Sequence, residues 1–231
     1  MTSTPKRYSP SVEDYLKAIF AINERGEPAS TSALAGALEV APSSVTGMIK
    51  RLAETDLLEH LPYRGVRLTD AGSREALRIL RRHRILETYL TERLGYAWDD
   101  VHDEAERLEH AASDRLIEAM AAALDDPSHD PHGAPIPTAT GEVEPTNFAT
   151  LAESSAGDRL VIRAVQDKDA ARLRFLESRG LMPGVQVRIH DRQPFGGPLT
   201  VQVGDGDDRL EVVGAELARL IFVAPADPGA A

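Results

Sequence analysis

The chain has 231 residues, with 37 acidic against 26 basic side chains, a formal net charge of −11 and no cysteine. That length exceeds one typical domain, so two or three units with their own cores are expected. The missing cysteines exclude disulfides, thiolate metal sites and a cysteine nucleophile, so any metal must be held by oxygen and nitrogen. No run approaches the ~20 apolar residues of a membrane span, and MTSTPKRYSPSVEDY has no apolar signal core; a cytoplasmic protein with no membrane partner is expected.

The excess acid is unevenly spread. Residues 1–75 carry 9 basic against 10 acidic side chains, 76–144 carry 7 against 15, and 145–231 carry 10 against 12. Net charge therefore leaves nucleic-acid binding open for the first segment, while the middle segment would gain from a bound cation.

Ser11-Val12-Glu13-Asp14 has the form of a capping box opening a helix that runs to about Arg25, with Tyr15, Ile19 and Ile22 at helical spacing. A second helix is expected over about 32–38. A third starts at Pro42, in the first-turn position that tolerates proline, and turns Val45, Ile49 and Leu52 inward. Residues 57–61, the turn Pro62-Tyr63-Arg64-Gly65 and residues 66–69 follow as a two-stranded wing. Helix, turn, helix and wing in this order predict a winged helix-turn-helix. Its third helix would enter the major groove with Ser43, Ser44 and Thr46 near base edges, while Lys50, Arg51, Arg64 and Arg67 grip phosphate. Taken singly, each of these is equally well a helix-start residue or part of a solvated face.

From Thr69 a long helix is expected to reach Leu94 and stop at Gly95, and a second to span about 100–124 with Asp99 as its cap. Residues 125–150 are rich in proline and glycine and read as a linker or extended arm. Beyond them, alternating runs at 159–165, 185–191, 199–203, 210–213 and 219–223 surround a helical stretch near 168–179, which suggests a small β barrel.

The chemistry concentrates in the middle. At ~100° per residue, His102, Glu106, Glu109 and His110 fall at about 0°, 40°, −20° and 80° of one helix, so four potential ligands share a face. Like-charged carboxylates set side by side cost free energy unless a cation relieves them. Carboxylate oxygen with imidazole nitrogen suits manganese or ferrous iron better than zinc. His83 and Glu87, four residues apart, are a surface pair or further ligands. Asp14 by itself reads as the third helical residue of the capping box.

In order, the winged helix, RRHRILE at 81–87, VHDEAERLEH at 101–110 and GAPIP at 133–137 resemble the diphtheria toxin repressor family of metal-dependent transcription regulators. FLESRGLMPGVQVRI at 175–189 is similar to the SH3-like domain found in such proteins. The resemblance implies an α+β chain in three parts: a winged helix-turn-helix at 1–75, a helical dimerisation and metal-binding domain with its arm at 76–144, and an SH3-like small β barrel at 150–225. It implies a primary metal site of Asp14, Glu106, Glu109 and His110. Iron-sensing members carry methionine and cysteine where this chain has Asp14 and Glu106, so both departures resemble the manganese-responsive branch. An ancillary site is implied at His83, Glu87 and His102, with Asp169 as the further ligand from the SH3-like part. Some short manganese regulators build a paired-metal site with a glutamate where this chain has Lys17.

The implied function is that of a repressor, not an enzyme. A homodimer activated by Mn(II), or alternatively Fe(II), would bind palindromic double-stranded operator DNA and control metal-uptake genes. A metal-dependent hydrolase is the rival of a different class, and no HExxH or ordered serine triad supports it.

Overall fold

The computed structural model describes residues 8–24, 26–145, 148–166, 169–204 and 209–226. Arg25 and Lys168, at the ends of two expected helices, lie outside them. The chain forms two compact units, one of residues 1–83, 107–117 and 137–143, the other of 84–106, 118–136 and 144–231.

The first unit opens with helices α1 (Pro10–Asn23), α2 (Thr31–Leu38) and α3 (Pro42–Ala53), followed by the antiparallel strands β1 (Leu58–Leu61) and β2 (Gly65–Leu68). The apolar spacing read from the sequence closes a core in which Leu16, Ile19, Leu34, Val45, Leu52 and Val66 are buried. One backbone approach decides how the wing attaches. Ala29 pairs with Val66, and a Cβ on Gly65, whose φ is +115°, would stand 2.4 Å from the Ala29 carbonyl oxygen, so only glycine fits there.

The start of α1 corrects the capping-box expectation. Ser9 takes the N-cap position with extended backbone and Pro10 follows at the first helical position, so Ser11 and Asp14 lie inside the helix.

Helix α4 (Asp70–Leu94) runs as expected and is closed by Gly95 at φ +74°. The single helix expected over 100–124 is instead two, α5 (Val101–Glu109) and α6 (Asp114–Ala123). Ser113 explains the break. Its hydroxyl accepts from the Leu116 amide at 3.2 Å, giving the chain a fresh N-terminal cap that competes with continued helix. The carboxylate of Asp99 accepts from Arg174 at 2.6 Å.

The second unit contains a six-stranded antiparallel sheet of order β3-β8-β4-β5-β6-β7. Its strands are β3 (Ala149–Thr150), β4 (Arg159–Val165), β5 (Gln186–Arg192), β6 (Leu199–Val203), β7 (Leu210–Val213) and β8 (Ile221–Pro225), with helices α7 (Ala170–Ser178) and α8 (Ala215–Ala218) between them. Register shifts at Ile162/Ala164 in β4 and Ile189/Asp191 in β5 bend the sheet around a core of Leu160, Ile162, Leu173, Ile189, Val201 and Ile221. The strand expected at 219–223 begins two residues later, because Gly214 opens α8 and Arg219 is its C-cap. Trp98 joins the same core from the segment between α4 and α5.

Candidate metal centre and nucleic-acid interface

Helix α1 carries Glu13, Asp14 and Lys17, and the end of α5 carries Glu109 and then His110 in the turn that follows. In the first unit these side chains converge. His110 directs Nδ1 to Glu13 Oε2 at 2.7 Å and Nε2 to Asp14 Oδ1 at 3.1 Å, with Glu109 Oε1 3.7 Å away. Glu13 is itself fixed by a buried ion pair with Arg82 at 2.9 Å. Glu109, with no exposure to solvent, meets His83 Nδ1 at 2.6 Å and the Lys17 ammonium at 2.8 Å. Burial pushes the Glu109 carboxyl upward, but the His83 hydrogen bond and the nearby Lys17 charge outweigh it and hold the group below the usual carboxylate range. The cluster thus offers oxygen and nitrogen donors with no sulfur among them, the set that a hard divalent cation takes.

The break between α5 and α6 matters here. His110 is not on a regular helix, so its ring can reach back to α1, which a helical-wheel angle could not foretell. Glu106 precedes Glu109 by one helical turn on α5, and its side chain is partly exposed.

In the second unit, His102 Nδ1 lies 2.9 Å from Glu87 Oε1, and its Nε2 lies 3.9 Å from Glu106. Glu87 is fully buried. His83, one turn earlier on α4, gives its Nδ1 to Glu109. Asp169, expected as the ancillary ligand from the SH3-like part, is the N-cap of α7. It accepts from the amides of Ala171 and Arg172 and pairs with the Arg172 guanidinium at 3.1 Å. It joins none of the carboxylate–imidazole groups found among the described residues.

Three residues that matter here are not singled out by the sequence: Glu13, Asp130 and His132. The last two come from the arm and group with Glu87, all three buried. The only local signal is a His-Asp-Pro-His run between prolines, in a stretch whose composition otherwise says linker.

At the winged helix, Ser43, Ser44 and Thr46 are exposed on the first turns of α3, and Lys50 and Arg51 are exposed on its last turn. The Thr46 hydroxyl donates to the Pro42 carbonyl at 3.1 Å. Arg64 is exposed at the wing turn beside Tyr63, a fully exposed ring with φ +62°. Arg67 donates to the Gly26 carbonyl at 2.9 Å, which ties one nitrogen of its fork to the protein itself.

Three family descriptions match successive parts of the chain: the iron-dependent repressor N-terminal DNA-binding domain at 7–66, the iron-dependent repressor metal-binding and dimerisation domain at 69–138, and the FeoA domain at 149–225. The diphtheria toxin repressor of Corynebacterium efficiens is 30% identical over 193 residues, spanning 79% of this chain and 84% of that protein. This chain belongs to the diphtheria toxin repressor family. Members of the family are transcription regulators, and the α+β architecture of this one follows their three parts. A solved manganese-dependent transcriptional repressor in complex with manganese superposes with a TM-score of 0.85 at 39% identity, covering 93% of this chain and all of that one. The regulator MntR of Oceanobacillus iheyensis is 38% identical over 112 residues, which cover 48% of this chain and 76% of MntR. Among the described residues, no helix is long and apolar enough to cross a membrane.

Proposed function

We propose that this member of the diphtheria toxin repressor family is a manganese-activated repressor that acts in the cytoplasm as a homodimer on palindromic operator DNA and governs metal-uptake genes. The observation that carries this reading is the meeting of His110, Asp14 and Glu109 in an all oxygen-and-nitrogen cluster. The likeness to the manganese-dependent repressor supports it. The proposed working parts are DNA reading at 1–75, dimerisation and metal sensing at 76–144, and the SH3-like part at 150–225.

In this reading Asp14, Glu106, Glu109 and His110 hold the primary ion, and His83, Glu87 and His102 belong to an ancillary site. A bound divalent cation supplies positive charge and a fixed coordination geometry. The residues do the rest. Asp14 sits on the first helix of the reading head, whereas Glu109 and His110 end a helix of the sensing part, so holding all three on one centre restrains α1. Glu13 and Arg82 brace the imidazole of His110 so that its Nε2 faces Asp14. Lys17 pairs with Glu109 at 2.8 Å and balances its charge. The serines of α3 then meet base edges, and Lys50, Arg51 and Arg64 meet phosphates, in half-sites about one helical turn apart.

Operator binding measured by fluorescence anisotropy with Mn(II), Fe(II), Zn(II) and chelator tests this. Mn(II) should strengthen binding most and chelator should abolish it. Binding that ignores metal would defeat the proposal, and a larger effect of Fe(II) than of Mn(II) would move the chain to the iron-responsive side of the family.

A further inference from the structure

We propose that Tyr63, at the tip of the wing, is a sequence-reading residue: its ring enters the minor groove beside the major groove that α3 occupies, and it disfavours G·C pairs there. This rests on the reading that the first unit grips operator DNA, and it names a groove contact which that reading lacks.

Tyr63 holds a backbone conformation that tyrosine adopts at a cost. The Leu61 carbonyl accepts from the Arg64 amide at 3.0 Å, which closes a turn with Pro62 and Tyr63 at its centre. Proline suits the first central position. The second, at φ +62°, ordinarily falls to glycine or asparagine, because a Cβ there crowds the following carbonyl oxygen. The strain gains no packing in return, since the ring is fully exposed and its hydroxyl has no hydrogen bond among the described residues. An exposed aromatic ring alone is ordinary; one kept in a strained turn points to a use outside the fold.

The root of the wing is pinned, so the ring acts from a fixed place. One edge of β2 bonds to β1. On the other, Ala29 and Val66 exchange amide–carbonyl bonds at 2.8 and 3.0 Å. Asn23, the last residue of α1, accepts through Oδ1 from the Leu68 amide at 3.1 Å, and Arg67 donates to the Gly26 carbonyl at 2.9 Å. Pro62, Tyr63 and Arg64 are left exposed at the tip.

Charge selects nucleic acid as what the tip meets. Residues 60–68 hold His60, Arg64 and Arg67 and no acid, in a chain of formal charge −11, and the match to the DNA-binding domain runs through Tyr63 to residue 66. With α3 in the major groove, a hairpin beside it meets the sugar–phosphate ridge and the minor groove beyond. Arg64 suits the ridge. The uncharged, amphipathic ring of Tyr63 suits the groove, whose walls are apolar deoxyribose faces and whose floor at A·T pairs offers only the acceptors A N3 and T O2. The phenol hydroxyl can donate to them. A G·C pair sets the guanine 2-amino group on that floor, where it stands in the way of the ring and offers a donor to a donor.

Fluorescence anisotropy on the full-length protein tests this, with a duplex enriched from a random-sequence pool by the Mn(II)-loaded wild type. Tyr63→Gly should weaken binding by about tenfold and leave the salt slope as it is, because no charge is lost. The free variant should melt at the wild-type temperature or above it, since glycine relieves the strain. Unchanged affinity, or a loss that comes with a lower melting temperature, would overturn the assignment. Copies of the duplex with A·T, G·C or inosine·cytosine pairs outside the half-sites read by α3 test the groove itself. Inosine keeps the major-groove edge of guanine and lacks its 2-amino group, so the wild type should bind the A·T and inosine copies several-fold more tightly than the G·C copy, and Tyr63→Gly should bind all three alike. Equal binding of the three by the wild type, or the same preference in the variant, would overturn the minor-groove placement. A wild type that enriches no duplex from the pool would instead sink the broader reading, so the two failures are separable.

Discussion

Glu109 shows how much one side chain has to reconcile. It is fully buried on the sensing side of the molecule, bonded to His83 and to Lys17, and it is also a proposed ligand. A buried carboxylate needs a cation, and the Lys17 ammonium supplies one. The depressed folded-state value of Glu109 fixes the sign of its pH effect. Its contribution to stability is fully present above the unfolded value near 4.5 and is lost as pH falls through the lower folded value. Lys17→Met should therefore destabilise the metal-free protein by on the order of 3 kcal/mol and flatten this acid-dependent loss. The rise in melting temperature on adding Mn(II) should exceed that of the wild type, because the ion then supplies the charge that Lys17 supplied. Thermal melts between about pH 3 and 7 with and without Mn(II) measure both effects, and an unchanged melting temperature in the metal-free variant would show that Lys17 does not balance Glu109.

Among the elements, the proposed function divides DNA recognition between α3 and the wing. Ser43 and Ser44 are short, exposed and placed where a helix start can approach bases, whereas Lys50 and Arg64 are exposed cations suited to phosphates. Lys50→Ala and Arg64→Ala should each weaken operator and non-operator DNA alike and lower the salt slope of binding by roughly one. Ser44→Ala should reduce discrimination between operator and random DNA with little change in that slope. Binding isotherms over a salt series separate the two behaviours. Arg67 should matter less than Arg64, since one of its nitrogens already serves the Gly26 carbonyl. Helix α5 makes a different point: its early end, caused by the fresh cap at Ser113, is what frees His110 to turn toward α1.

At the scale of the whole molecule, the proposed function links sensing to reading through α1, which bears both core residues of the winged helix and two carboxylates of the cluster at His110. Linkage then requires reciprocity: operator DNA must tighten Mn(II) binding by the factor by which Mn(II) tightens operator binding, a coupling of about 1–3 kcal/mol in systems of this kind. Mn(II) titrations with and without a saturating operator duplex should give that factor, and equal Mn(II) affinities in both would show that metal does not act through the reading head.

Local signals in the chain were enough for the order of most helices and strands, the buried faces of α1 and α3, the wing, and the hard character of the donors. Periodicity, caps and turns are written in neighbouring residues, and the absence of cysteine is absolute. The proposed primary ligands were nameable too, although Asp14 was readable only through a family likeness, since locally it imitates a cap. Packing decided which donors meet. Lys17 and Glu109 are 92 positions apart and Glu13 and His110 are 97 apart, and no helical period reports on contacts made across such separations. The same holds for His132, whose place against Glu87 depends on a glycine that lets the arm touch β4 and on a carbonyl of Trp98 that turns its ring.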